Sequence, residues 1–159
     1  TQIFSGLSVG DMRRKGVDAV QRMGDEATRR ILTRMLATAP AWDRDNFLDA
    51  LAQRLELMRA WNLWLADFDV LLMPVSWERP FAVNEDLGSD SRYEAMVRAQ
   101  SPLVVPACLG LPCLAVPVGQ GLPGSGRMPS GVQLVAPPHR EARLLRVGEW
   151  IERLMPIQT

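Results

Sequence analysis

Residues 43 to 74 constrain the fold most, because two hydrophobic periods follow one another there without a break. Phe47, Leu51, Leu55, Met58, Trp61 and Leu65 recur at steps of three and four, the spacing of one face of an α-helix. Asp43 stands where an N-cap belongs, so the spacing predicts a long helix over residues 43–67. The pattern then changes to the continuous apolar run of DVLLMP (69 to 74), closed by Pro74. Such a run predicts a short strand covered on both faces. A long helix delivering the chain into a buried strand points to helices layered on a sheet, an α/β or α+β arrangement.

The rest of the chain fits that frame. Gly6, Gly10, Gly16 and Gly24 interrupt residues 1–23, which predicts loops and short helix there. DEATRRILTRMLA (25 to 37) places acids before arginines, as the helix dipole favours, with Ile31, Leu32, Met35 and Leu36 on one face and Pro40 beyond its end. Residues 76–90 read as irregular, and Ser91 as the cap of a short helix over 92–100. CLAVPV (113 to 118) and GVQLVA (131 to 136) read as strands. The glycine- and proline-rich GQGLPGSGRMPS between them reads as a long hairpin connection. A last helix is expected over 140–154, with Leu144, Val147, Ile151 and Leu154 on one side. Three strands make a thin sheet whose apolar faces call for more partners. The chain also opens on Thr1 rather than Met, so the expectation is an incomplete unit.

Charge and composition exclude several functions. The formal net charge is zero and the pI about 6.5, leaving no basic field to hold nucleic acid or an anionic membrane. The longest apolar runs fall well below the roughly 20 residues of a membrane helix, and no secretory segment is apparent. Two cysteines do not make a disulfide framework, so a reduced, cytoplasmic setting is expected. The basic residues are 17 arginines and a single lysine, Lys15.

No catalytic constellation emerges from spacing alone. Cys108 and Cys113 stand five apart with no His, Asp or Glu beside them, whereas a metal site needs three or four such ligands. They read as small packing side chains, and no metal or cofactor is expected. His139, the only histidine, lies at the start of the last helix, where a solvent-facing cap region explains it better than a catalytic triad. Asp67 and Asp69 suit a solvated turn. The glycine-rich segment lacks the Lys-Ser or Lys-Thr of a phosphate loop, and MRRK (12 to 15) reads as a solvated face. Trp77, outside any strong element, is the one tryptophan that is a candidate for facing a pocket.

Three ordered segments carry more. RAWNLWLADFDVLLMPV (59 to 75), GLPCLAVPVG (110 to 119) and PSGVQLVAPPHREARLLRVGEWIE (129 to 152) together resemble the C-terminal part of the amidase signature family. There a long helix runs into a "YDVLL-P" strand, followed by a "GLP-SVP-G" segment, a "P-GVQLVG" strand and a final helix. The resemblance is clear over residues 43–154, while 1–40 would be its variable helical stretch. It implies an α/β fold, part of a mixed β-sheet covered by α-helices. It also implies cleavage of carbon–nitrogen amide bonds by a Ser-Ser-Lys triad through an acyl-enzyme, with a glycine-rich oxyanion hole.

None of that machinery is legible in these 159 residues. LGSDS (87 to 91) lacks the glycine pair of the family's Gly-Ser-rich signature. A lysine acting as general base must be buried to lose its proton, and Lys15 stands in the charged MRRKG. No catalytic residue is therefore expected in this chain. The resemblance places Gln100, Leu103, Val104 and Ala107, just before GLP, on the acyl side of the substrate pocket. Their mainly apolar character suits an aryl or alkyl amide. The uncharged Gln100, where transfer-RNA amidotransferase relatives carry an acid, argues against that branch. An asparagine common near Ala107 is absent. The partners implied are the N-terminal catalytic part of an amidase and a small amide substrate, with a homodimer also open. A non-catalytic binding or assembly module, or one subunit of a split amidase, are the alternative readings.

Overall fold

A computed structural model describes residues 1–119 and 130–155. Four helices come first: α1 (Gln2–Lys15), α2 (Val17–Met23), α3 (Glu26–Thr38) and α4 (Arg44–Leu65). Strand β1 (Leu71–Pro74) follows, then a 3-10 turn (Glu85–Leu87), α5 (Asp90–Ala99), α6 (Ser101–Leu109), β2 (Cys113–Gly119), β3 (Ser130–Val135) and α7 (Glu141–Leu154). The expected α/β layering is present, and the described strands pair antiparallel in the order β1-β3-β2.

The long helix starts at its expected cap: the Asp43 carboxylate accepts the Asn46 N–H at 2.8 Å. Asp25 caps α3 in the same way through Thr28. At α5 the cap is Ser89, which accepts the Arg92 N–H, and not Ser91. The larger departure is at the N-terminus, where two helices, one of them 14 residues long, stand in place of the expected loops and short helix. Gly6 does not break α1. It lets α1 approach the Trp42 indole so closely that a Cβ there would lie 2.2 Å from the ring. A second departure is α6. Pro102 sits in its first turn, where a missing N–H costs nothing, while Pro106 lies inside the helix. The chain leaves α6 through Gly110, whose φ of 67° is the left-handed cap that glycine adopts without strain.

The sheet is covered on two sides. Leu65, Leu109, Leu111 and Val135 form one buried cluster, joined by Met58, Trp61, Leu71, Met73 and Val105 from α4, α6 and β1. Val116, Leu134, Ala136 and Leu144 form the other, under α7, joined by Leu114, Val132, Val147 and Ile151. Only β3 is covered on both faces. β1, against the expectation of burial throughout, is an edge strand that alternates, and Leu72 is 59% exposed. On β2, Val116 is buried and Leu114 half-buried towards α7, while Cys113, Ala115 and Pro117 on the opposite face are exposed. The stretch CLAVPV is therefore a one-sided strand, and Cys113 is not a buried packing residue. β2 and β3 run antiparallel, as a hairpin requires; the connection at 120–129 lies outside the described residues. No helix among the described residues is long and apolar enough to cross a membrane.

Candidate functional site

The residues singled out from sequence converge on α6 and its junction with α5. The helix has a buried side formed by Pro102, Pro106 and Leu109, against α4 and the sheet. Its other positions divide. Gln100 and Val104, one turn apart, border a cavity of about 610 Å³ shared with Phe4 of α1, Met35 of α3, and Tyr93 and Met96 of α5. That volume is of the size that holds a small organic ligand. Leu103 and Ala107, also one turn apart, are exposed on a different flank. The structure therefore brings together two of the four and separates the other two. A second recess, of about 600 Å³, runs along α3 past Arg29, Arg30 and Leu87, and includes none of these residues.

Trp77 adjoins the same junction. Its backbone N–H donates to the Ala99 carbonyl at 2.9 Å, and its indole N–H to the Ser101 hydroxyl at 2.8 Å. The ring is 65% exposed, so it borders the start of α6 from solvent and does not line the cavity. The irregular segment that carries it is held by arginines, which gives the arginine excess a structural meaning. Arg34 donates to the carbonyls of Asp86 and Gly88, pairs with Asp90 at 3.0 Å and lies over the Tyr93 ring. Arg92 binds Glu78 at 2.7 Å and Glu85 at 2.8 Å. A planar fork can serve several oxygens at once, which a lysine ammonium cannot do in a fixed geometry.

Asp86, Glu94 and Arg98 bring charge to the cavity wall, and Arg98 pairs with Glu94 at 3.6 Å. Burial pushes the Tyr93 phenol above its ordinary value, so it remains a hydrogen-bond donor at the cavity wall at neutral pH. Partial burial of the Cys113 sulfur, whose S–H donates to the Leu111 carbonyl at 3.4 Å, raises that thiol too. A thiol raised in this way is a poor nucleophile at neutral pH. Lys15 is exposed and pairs with Asp11 at 3.3 Å on the surface of α1. His139 lies exposed in the turn before α7 with a φ of 63°. Asp69 pairs with Arg143 of α7. Among the described residues no three His, Cys, Asp or Glu side chains converge as metal ligands would.

One residue that supports α6 escapes the sequence reading. Pro106 has no N–H, so the carbonyl of Pro102, four residues earlier, loses its helical partner. Gln133, only 3% exposed at the centre of β3, fills the gap: its Nε2 donates to the Pro102 oxygen at 2.9 Å. The signal is there as a lone amide inside the apolar GVQLVA and two prolines spaced four apart in SPLVVPACLG. What joins them is their position across the sheet, which no local pattern encodes. At the other end of α6, Arg54 of α4 donates to the Cys108 carbonyl.

Comparison with known proteins agrees with this architecture. The Amidase family model matches residues 13–145, from within α1 to within α7. A glutamyl-tRNA(Gln) amidotransferase subunit from Archaeoglobus fulgidus is 32% identical over 131 residues, 80% of this chain and 26% of that protein. The corresponding protein from Lactobacillus delbrueckii is 33% identical over 132 residues, 82% of this chain and 26% of its own length. A solved structure of 6-aminohexanoate cyclic dimer hydrolase superposes with a TM-score of 0.64 at 21% identity, covering 94% of this chain and 32% of that one. Its complex with substrate gives 0.65 at 22% identity. The chain thus spans about a quarter of the length of the curated relatives it matches. The solved structures show the same fold, and with most of its length matched by the family model, the chain belongs to the amidase family.

Proposed function

We propose that this chain is the C-terminal portion of an amidase-signature hydrolase that cleaves carbon–nitrogen amide bonds in the cytoplasm, without a cofactor. The whole of residues 1–159 is one such portion, with 1–40 as its variable helical part and 43–154 as its family-like part. The family match over residues 13–145 carries the reading. A Ser-Ser-Lys acyl-enzyme mechanism then draws its catalytic residues from outside this chain. What supports that assignment is the setting of the sole lysine, exposed beside Asp11 and far from the burial that a neutral base requires. Gln100, Leu103, Val104 and Ala107 would meet the acyl side of the substrate, with Trp77 also at the substrate pocket. Their uncharged surfaces suit a neutral aryl or alkyl amide. The names of the curated relatives favour a second reading, a component of a glutamyl-tRNA amidotransferase. Gln100, with no charge to hold an amino group, weighs towards the hydrolase.

The test is hydrolysis of simple aryl amides. The 159-residue chain alone is expected to show none, and neither is its Lys15→Ala variant. Activity should appear when the catalytic portion of an amidase is co-expressed with it. In that mixture, turnover of aryl amides in preference to glutamine supports the hydrolase, and the reverse supports the amidotransferase. Hydrolysis by the isolated chain that Lys15→Ala abolishes would overturn the proposal.

A further inference from the structure

The hydrogen bonds that tie residues 78–88 to the helices around them come from two guanidinium groups. Arg34 of α3 donates to the carbonyls of Asp86 and Gly88, and Arg92 of α5 to the carboxylates of Glu78 and Glu85. The main-chain bonds of the segment are local, from Glu85 to Ala82, Leu87 to Asn84 and Gly88 to Glu85. None of its residues is buried, and Val83 is 91% exposed. Both ends are fixed: Trp77 holds to Ala99 and Ser101, and Ser89 caps α5. A segment with local backbone bonds and no buried anchor opens at a far smaller free-energy cost than the whole fold. Its arginine–glutamate pairs are partly exposed, so water readily takes their place when they part.

The segment lies between two hollows. Asp86 borders the cavity of about 610 Å³ that Gln100 and Val104 share, and the next residue, Leu87, borders the recess of about 600 Å³ along α3. Ile31 and Thr38 border both. Asn84, at a φ of 61°, and Gly88 flank the 3-10 turn, and both residue types change backbone conformation with little steric penalty. The one aromatic side chain of the segment, Phe81, joins neither core cluster; the Arg92 guanidinium lies over it, 5.7 Å from the ring centre. We propose that residues 78–88 are a lid over the cavity, latched by Arg34 and Arg92, whose lifting joins the two hollows and lets the acyl part of the substrate enter. The substrate's use of the cavity rests on the function proposed above; the latch does not.

Tyr93 is the only tyrosine of the chain, stands on the cavity wall and has Arg34 over its ring at 5.3 Å. Its nitration by tetranitromethane reports how often the lid opens. The chain carries Cys108→Ser and Cys113→Ser, because the reagent also oxidises thiols. The latches are cut one at a time, by Glu78→Ala together with Glu85→Ala, or by Arg34→Met. Each is expected to speed nitration at least about tenfold and to raise hydrogen exchange in the 78–88 peptide, with exchange in the β3 peptide held within about threefold. The two variants separate opening from charge. Loss of the glutamates favours the phenolate, whereas loss of Arg34 disfavours it, so charge alone would slow nitration in Arg34→Met. That slowing, an unchanged rate in either variant, or exchange in β3 that rises as much as in the lid would each overturn the proposal. Hydrolysis of aryl amides with the catalytic portion is scored apart. A lid that opens as described in a complex that hydrolyses nothing keeps the lid and sinks the proposed function; hydrolysis with Tyr93 equally reactive in parent and variants does the reverse.

Discussion

Pro106 has no amide hydrogen to give, and the effect of that absence reaches the middle of the sheet. The carbonyl it leaves unpaired, on Pro102, is served by the buried amide of Gln133. Gln133→Leu keeps the apolar character of β3 but strands that carbonyl. The loss should be about 1–3 kcal/mol, the cost of an unsatisfied buried polar group, read as a lower urea midpoint with an unchanged m-value. Single side chains also govern the response to acid. Arg92 hydrogen bonds hold the Glu78 carboxyl below its ordinary value; Glu85 is lowered first by the Ala82 N–H and then by Arg92. Carboxyls depressed in the folded state stabilise it above their unfolded pKa, and that contribution is lost as pH falls through the folded values. The melting temperature should therefore fall below the ordinary glutamate range, about pH 4.3, and Arg92→Ala should flatten that acid limb. Neither pairing is legible in the sequence, because Gln133 and Pro102 are separated by 31 residues and Arg92 and Glu78 by 14.

Among the elements, glycine has two opposite meanings. In an isolated helix it costs about 1 kcal/mol relative to alanine, and on that ground α1 reads as broken. In the folded chain Gly6 is the point where α1 closes on Trp42. Gly6→Ala gains the propensity term but drives a methyl group into the indole, an overpacking cost of about 1–3 kcal/mol. The variant should be the less stable in urea, and Trp42→Leu added to it should recover part of the loss. The elements with strong periodic signals, α3, α4 and α7, lie where the sequence places them. Where the signal is weak, α1 and α2 are expected only as short helix among loops, and α6 does not announce itself. α6 hides because two prolines in nine residues argue against a helix. One sits where its missing N–H is harmless, and the other is compensated from β3. The cap of α5 illustrates a finer limit: SDS offers two serines, and which of them turns its hydroxyl to the Arg92 N–H is a matter of backbone angles.

For the chain taken entire, the decisive fact is what stays uncovered. Leu72 on the edge strand β1, Leu103 on α6, Trp64 and Phe68 at the end of α4, and Trp150 on α7 are all substantially exposed. On the function proposed above, these side chains are covered by the rest of an amidase. Alone, the chain should raise the fluorescence of an anilinonaphthalene sulfonate dye, and co-expression with an amidase catalytic portion should suppress that signal. A dye signal at the level of an ordinary closed domain would show that these faces are already covered. Residue order was enough to set the layered α/β plan, the positions of the strongly periodic helices and the three strands, and the family. Those depend on side-chain period, caps and local motifs, which act over a few residues. Folding alone settled which face of β2 is bare, how α6 splits Gln100 and Val104 from Leu103 and Ala107, and why Gln133 is buried. These depend on which segments distant in the chain come to lie side by side, and burial is a property of that meeting rather than of either segment alone.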